Sequence, residues 1–146
     1  MFAACVNVLD GGTSVYRWKG ELEEAVTALE DGRARLLSEA LELVPANAHP
    51  MDVLRTGCSV LGTVLPEREG HPAAEAREIA DRLMASFGSM LLYWWHFTRN
   101  GRRIDCETDD DSIAAHFLHL LHGEPPSALH ADALDKSLVL YAEHEF

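Results

Sequence analysis

The sequence has few cysteines, few basic residues and no long apolar run. Its three cysteines, Cys5, Cys58 and Cys106, lie far apart, so the chain has neither a C-x-x-C motif nor a disulfide framework. This cysteine usage is typical of a reducing compartment and predicts a cytoplasmic protein. No stretch approaches the roughly 18 apolar residues of a membrane span. The first residues are too briefly apolar, and too poor in basic side chains, to predict a signal peptide.

Acidic residues outnumber basic residues two to one. The chain carries 12 Lys and Arg against 24 Asp and Glu, a net charge of −12. Nucleic acid and anionic membranes are excluded as main partners, because binding phosphate groups requires clustered Lys and Arg. The hydrophobic fraction of 47% and the charged fraction of 25% predict a globular protein. A length of 146 residues favours one domain.

Period-2 alternation is also scarce, and the sequence predicts an all-α, multi-helical fold. The first 20 residues contain paired glycines and are predicted to be irregular. Apolar residues then recur at three- and four-residue steps, with prolines and glycines between the segments. The predicted helices are Glu21–Val44 (with a possible break at Gly32), Pro50 to about Leu65, Ala73–Phe97, Ile113–His122 and Ala128 to about Phe146.

Two helices carry signals beyond their periodicity. Gly57 and Gly62 lower the helix propensity of the second predicted helix, which predicts close packing against a neighbour. Residues 89–97, SMLLYWWHF, are apolar nearly all round, which is typical of a core or a subunit interface rather than a ring-stacking site. Asp109–Asp111 precede a helix together with Ser112, so they are predicted to cap it rather than to bind a cation. Gly123 is predicted to end that helix.

Histidine is concentrated towards the C-terminus. His116, His119 and His122 are spaced by three, but the first and third lie about 120° apart around a helix. One metal ion bound by all three is therefore strained, and the spacing favours surface, core or hydrogen-bonded histidines, so no metal site is predicted. The three could instead line a pocket for an anion, an interpretation that suits His116 best because it is near the helix N-terminus.

His144 lies between Glu143 and Glu145. Adjacent carboxylates can tune the charge and tautomer of a histidine for acid–base chemistry. From spacing alone, a surface histidine is the favoured interpretation of this residue.

Five segments in order resemble the citrate synthase superfamily, and most of all its 2-methylcitrate synthase branch. The resemblance covers residues 48 to 146, whereas the first 45 residues match only loosely. The matching segments are PMDVLRTG at 50–57, LLYWWH at 91–96, ETDDDS at 107–112, HFLHLLHGE at 116–124 and LVLYAEHEF at 138–146.

This resemblance implies an all-α homodimer that condenses an acyl-CoA with oxaloacetate, and it implies that this chain forms part of the family's large domain. Propionyl-CoA gives 2-methylcitrate and acetyl-CoA gives citrate. Acyl-CoA is a substrate, so no cofactor is implied. By the A-E-H-E match, His144 resembles the histidine that polarises the thioester carbonyl. His116 is expected to help bind the oxoacid, and Arg55 is expected to be structural.

The sequence also departs from the family pattern. The second catalytic histidine, the catalytic aspartate and the oxoacid-binding arginines have no counterpart in these residues. We therefore expect residues 1–146 to form a single partial domain that is inactive alone. The alternative is a non-catalytic helical remnant that associates with a full-length subunit. Unpartnered apolar surfaces are predicted beside Met90–Phe97 and along Leu134–Tyr141, with oligomerisation or aggregation as the consequence.

Overall fold

The computed structural model describes residues 33–64 and 73–142. These residues form five helices and contain no strand, which confirms the predicted all-α fold. Residues 1–20, predicted to be irregular, lie outside the described residues, as do the first half of the predicted helix at 21–44 and the final residues 143–146. The helices are α1 (Arg33–Glu42), α2 (Pro50–Val64), α3 (Ala73–Asn100), α4 (Ile113–His122) and α5 (Ala128–Ala142).

Local capping signals determine several helix ends. Pro50 is the first residue of α2, where its fixed φ and missing N–H are tolerated. The side chain of Ser112 accepts a hydrogen bond from Ala115 N at 3.1 Å and caps α4 as predicted. Gly123 ends α4 at a φ of 78°, and its N–H donates to His119 O. Helix α3 continues three residues beyond the predicted end and stops at Gly101, which has a φ of 65°.

Helices α1, α2 and α3 enclose the main core. One cluster of nearly inaccessible side chains joins them: Leu37, Leu41, Val53, Leu61, Met90 and Trp94. Gly57 is buried at this contact, and a Cβ added there would overlap Met90 Sδ, so the predicted close approach is confirmed. The same prediction is wrong for Gly62, which is exposed and where an added Cβ would have no atom of the described residues within 4 Å.

A polar clamp closes one end of this bundle. Both carboxylate oxygens of Glu42, the last residue of α1, accept hydrogen bonds from Arg103, at 2.6 and 2.9 Å. The Tyr93 hydroxyl donates to the same carboxylate at 2.7 Å. These bonds, first from Arg103 and then from Tyr93, lower the pKa of Glu42 to about 2. The clamp joins α1 to α3 and to the segment that follows α3.

That segment, residues 103–111, is hereafter called the strap. Along it, burial alternates: Ile104, Cys106, Thr108 and Asp110 are half-buried, whereas the intervening residues are exposed. Alternation of this kind is typical of an extended chain with one face against the protein. The sequence predicted only a polar loop for most of the strap.

Helix α5 differs from the other helices. It packs against α4, yet none of its fifteen residues, all of them in the described part of the chain, is buried. Large apolar side chains are exposed along it: Leu129, Leu138, Val139, Leu140 and Tyr141. The predicted apolar surface along the last helix is therefore confirmed. None of the helices within 33–64 and 73–142 is long and apolar enough to cross a membrane.

The prediction of an exposed surface beside Met90–Phe97 is wrong. Met90, Leu92 and Trp94 are 2–3% exposed, because α1, α2 and α4 all pack against α3. Trp95 is the exception at 36% exposed, and the Arg99 guanidinium lies 4.0 Å from the centre of its ring.

Candidate functional site

His116 is a buried polar residue at the centre of a cluster of hydrogen-bonded side chains. It lies in the first turns of α4 and is 2% exposed. Its Nε2 lies 3.0 Å from the Ser89 hydroxyl of α3, and its Nδ1 lies 2.7 Å from the Thr108 hydroxyl of the strap. A neutral imidazole has one donor and one acceptor, so one hydroxyl accepts a hydrogen bond from the ring and the other donates a hydrogen bond to it. Burial lowers the pKa of His116, while the charge of Asp110 acts in the opposite direction.

His119 and Asp110 form a second contact beside the first. His119 Nδ1 lies 2.8 Å from Asp110 Oδ2, and both side chains are largely shielded from solvent. Ser112 caps α4, so the prediction that Asp109–Asp111 act together as caps needs correction. Asp110 faces inward to His119, whereas Asp109 and Asp111 are exposed on the opposite side of the strap.

Ser89 connects this cluster to a third side chain of the strap. The Cys106 thiol is 3.9 Å from Ser89 O and donates to it. Burial, with a smaller effect of the Asp105 charge, raises the pKa of Cys106 to about 12. A thiol with so high a pKa is a poor nucleophile near neutral pH. Cys106 is therefore part of the packing rather than a reactive group.

Sequence analysis missed Ser89 and Thr108. Ser89 was a detectable exception, because it is a hydroxyl at the start of a strongly apolar stretch, and buried hydroxyls require partners. Its partner is 27 residues away, however, and no periodicity indicates which residue that is. Thr108 lies within a quoted segment, but its contact with His116 depends on the extended course of the strap.

The histidine trio does not act as a unit. His116 and His119 have separate partners, and His122 is exposed beside a shallow pocket of about 260 Å³. This pocket lies at the turn between α4 and α5 and is also lined by Glu124 and His130. Within the described ranges, no three His, Cys, Asp or Glu side chains come together in a group that could hold a metal ion.

The two predicted site residues differ in whether the structure describes them. His144 lies outside the described residues, two positions after the end of α5, and stays a prediction. His116 is described, and both of its ring nitrogens are engaged with hydroxyls of the same chain. Its predicted contact with an oxoacid would require one of those hydroxyls to be exchanged, and it also stays a prediction.

Comparisons with known proteins extend over most of the chain. The family model described as citrate synthase, C-terminal domain, matches residues 16–146. The chain is 59% identical over 115 residues to a 2-methylcitrate synthase of Shewanella oneidensis, covering 79% of this chain and 30% of the relative.

Two further relatives match more distantly. A 2-methylcitrate synthase of Mycobacterium tuberculosis is 34% identical over 137 residues, which is 88% of this chain and 34% of the relative. A citrate synthase of Heyndrickxia coagulans is 32% identical over 127 residues, which is 87% of this chain and 34% of the relative. The chain thus spans about a third of the length of the curated relatives that it matches.

Proposed function

The chain belongs to the citrate synthase family, and from this membership we propose that its residues form part of an enzyme that condenses an acyl-CoA with oxaloacetate. The observation that carries the proposal is the 59% identity to a protein named 2-methylcitrate synthase. Propionyl-CoA is therefore the proposed acyl donor, giving 2-methylcitrate, and acetyl-CoA, giving citrate, is the second choice. Acyl-CoA enters as a substrate, and the proposal includes no resident cofactor.

His144 is the proposed catalytic residue. Its ring would donate a hydrogen bond to the thioester carbonyl oxygen as negative charge develops there during enolate formation. A donor positioned before the reaction stabilises such charge with little reorganisation. The other two groups of the proposed mechanism, the histidine that polarises the ketone and the carboxylate that removes the α-proton, lack a counterpart among these 146 residues. The isolated chain is therefore proposed to be inactive.

His116 is the proposed oxoacid-binding residue. The proposal rests on its position near the N-terminus of α4, where an anion is favoured. A direct contact would replace either Ser89 or Thr108 at the imidazole. If His116 binds oxaloacetate, replacement by Gln raises KM for oxaloacetate more than KM for the acyl-CoA.

A chimera tests the proposed reaction. Residues 16–146 of this chain, which the family model matches, would replace the corresponding part of the Shewanella oneidensis relative. We expect oxaloacetate-dependent release of CoA thiol from propionyl-CoA, and we expect His144→Ala to lower kcat by about 10²–10³, the typical effect of removing a donor to developing charge. A folded chimera in which His144→Ala leaves kcat unchanged contradicts the role of His144. A folded chimera that is inactive on both acyl-CoA substrates contradicts the proposed reaction.

The exposed surface of α5 favours a second candidate function, association with a full-length subunit of the family. The apolar side chains Leu138, Val139, Leu140 and Tyr141 are consecutive, so they occupy every side of the helix. A helical turn that is apolar on every side is typical of a protein interior. The relatives are about three times as long as their matched regions, so they contain additional chain that could cover this surface.

Co-purification with the full-length Shewanella oneidensis relative tests this candidate. Leu140 and Leu43 are similarly exposed, at 78% and 85%, but Leu43 follows α1 in the other part of the structure. We expect Leu140→Lys to abolish co-purification and Leu43→Lys to preserve it. Equal loss in both variants, or co-purification that survives Leu140→Lys, contradicts docking through α5.

A further inference from the structure

The strap is attached to the helices by three successive inward side chains. Cys106 donates to Ser89 O of α3, Thr108 bonds the ring of His116, and Asp110 bonds the ring of His119. Arg103 attaches the start of the strap to Glu42. Two of these four attachments thus involve an imidazole of α4, and the two imidazoles are one helical turn apart.

His116 is the less solvated of the two imidazoles. Its nitrogens face the Ser89 and Thr108 hydroxyls rather than a carboxylate. The charged groups that act on it are Asp110 of the strap and His119 of α4 itself. The other two ionisable side chains of this region have their own partners, since Cys106 of the strap bonds Ser89 O and His96 of α3 bonds Leu120 O. The ionisable side chains of α5 are exposed: His130, Asp132, Asp135, Lys136 and Tyr141.

We propose that His116 is a proton-operated clasp that holds the strap against α3 and α4 when it is neutral and releases the strap when it is protonated. A neutral ring can accept from one hydroxyl and donate to the other, which matches the two partners present. An imidazolium would place a full charge in a site that is 2% exposed, with Asp110 already engaged by His119. Detachment of the strap would return that charge to water.

The direction of the pH effect follows from burial. The pKa of His116 is lower in the folded chain than in an unfolded chain, mainly because burial disfavours the charged ring. The clasp is therefore complete above the ordinary histidine pKa, and it weakens as pH falls below that value. This inference concerns the strap alone and does not depend on the proposed condensation reaction.

Cys106 provides the measurement, because release of the strap uncovers its thiol. In a Cys5→Ser background, the rates at which Cys106 and Cys58 react with dithiodipyridine would be measured between about pH 7.5 and pH 5, where histidine titrates. Each rate is divided by that of the unfolded chain at the same pH, which removes the intrinsic pH dependence of the thiol. Cys58, on α2, is the internal control, because none of the four attachments of the strap involves α2.

We expect the protection of Cys106 to fall by up to about tenfold per pH unit as pH falls from the ordinary histidine pKa towards the lower folded pKa, and to level off below that, while the protection of Cys58 stays constant. His116→Gln removes this dependence, and His119→Gln retains it. The proposal is overturned by constant protection in the wild type, by a dependence that survives His116→Gln, or by one that His119→Gln abolishes. If His116→Gln does not fold, the proposal is tested on the wild type, in which NMR measures the pH titration of each imidazole. Coinciding midpoints for His116 and Cys106 protection support the clasp, and different midpoints overturn it.

Discussion

In the bundle of α1, α2 and α3, six apolar side chains are at most 8% exposed, whereas α5 presents five large apolar side chains to solvent. The two regions differ in how their apolar residues are arranged. In α2, Val53, Gly57 and Leu61 recur every four residues and form one buried face. In α5, Leu138 to Tyr141 are consecutive, so contact with α4 alone cannot cover them. A helix with one apolar face can be completed by a single neighbour, but a helical turn that is apolar on every side requires several.

The largest expected difference is between two adjacent tryptophans of α3. Trp94 is 3% exposed and its indole N–H donates to Val44 O at 3.1 Å, whereas Trp95 is 36% exposed. We expect Trp94→Ala to lower the free energy of unfolding by about 3–5 kcal/mol, the usual cost of deleting a buried aromatic ring. Trp95→Ala should cost far less. Urea denaturation followed by circular dichroism measures both, and equal losses would mean that the bundle is not the core described above.

Two glycines of α2, Gly57 and Gly62, differ in how closely a neighbouring helix packs against them. Gly57→Ala forces Met90 to move, and overpacking of this kind costs about 1–3 kcal/mol, partly offset by the better helix propensity of alanine. In Gly62→Ala the added methyl group has no atom of the described residues within 4 Å, so the better helix propensity of alanine should increase the free energy of unfolding by about 1 kcal/mol. The changes in Tm should therefore have opposite signs. Stabilisation by both substitutions would contradict the close approach of α2 and α3.

The polar clamp on the bundle predicts a pH dependence. Hydrogen bonds from Arg103 and Tyr93 lower the pKa of Glu42 from 4.5 to about 2. The stabilisation is therefore complete above pH 4.5, and it is lost as pH falls through the folded pKa. Thermal melts over this range should show a steeper loss of Tm for the wild type than for Glu42→Gln. Identical slopes of Tm against pH in the two proteins would show that Glu42 is not the source of the pH dependence.

The smallest expected effect is on α5. Leu140 is 78% exposed, so Leu140→Ala should change the free energy of unfolding by less than about 0.5 kcal/mol. Leu41, at 2% exposed, is the matched position in the bundle, and Leu41→Ala should cost about 2–5 kcal/mol. A large loss on Leu140→Ala would show that α5 is already packed against other residues in the isolated chain.

The sequence predicted those parts of the fold that depend on local chemistry. Pro50, Ser112 and Gly123 act through their own backbone and immediate neighbours, so the ends of α2 and α4 were accessible to sequence analysis. Gly57 and Gly62 look alike in sequence, and only the path of α3 distinguishes them. For the same reason, the exposure of Met90–Phe97 was mispredicted, because its covering helices lie elsewhere in the chain.

The candidate site was less accessible than the fold. The cluster around His116 joins α3, the strap and α4 through contacts between residues that are 8 and 27 positions apart. The histidine itself was singled out by its place in α4, whereas its hydroxyl partners were not. The role of His144 came from resemblance to the family, since spacing alone favoured a surface residue.

The α1–α3 bundle buries a cluster of apolar side chains, whereas the apolar side chains of α5 are exposed. This difference fits the proposal that these residues supply part, and not all, of a condensing site. The most direct measurement is release of CoA thiol by the purified 146-residue chain from propionyl-CoA and from acetyl-CoA, with and without oxaloacetate, beside His144→Ala. We expect no oxaloacetate-dependent release with either substrate. Release that depends on oxaloacetate and disappears in His144→Ala would contradict this expectation, because these residues alone would then contain a complete site.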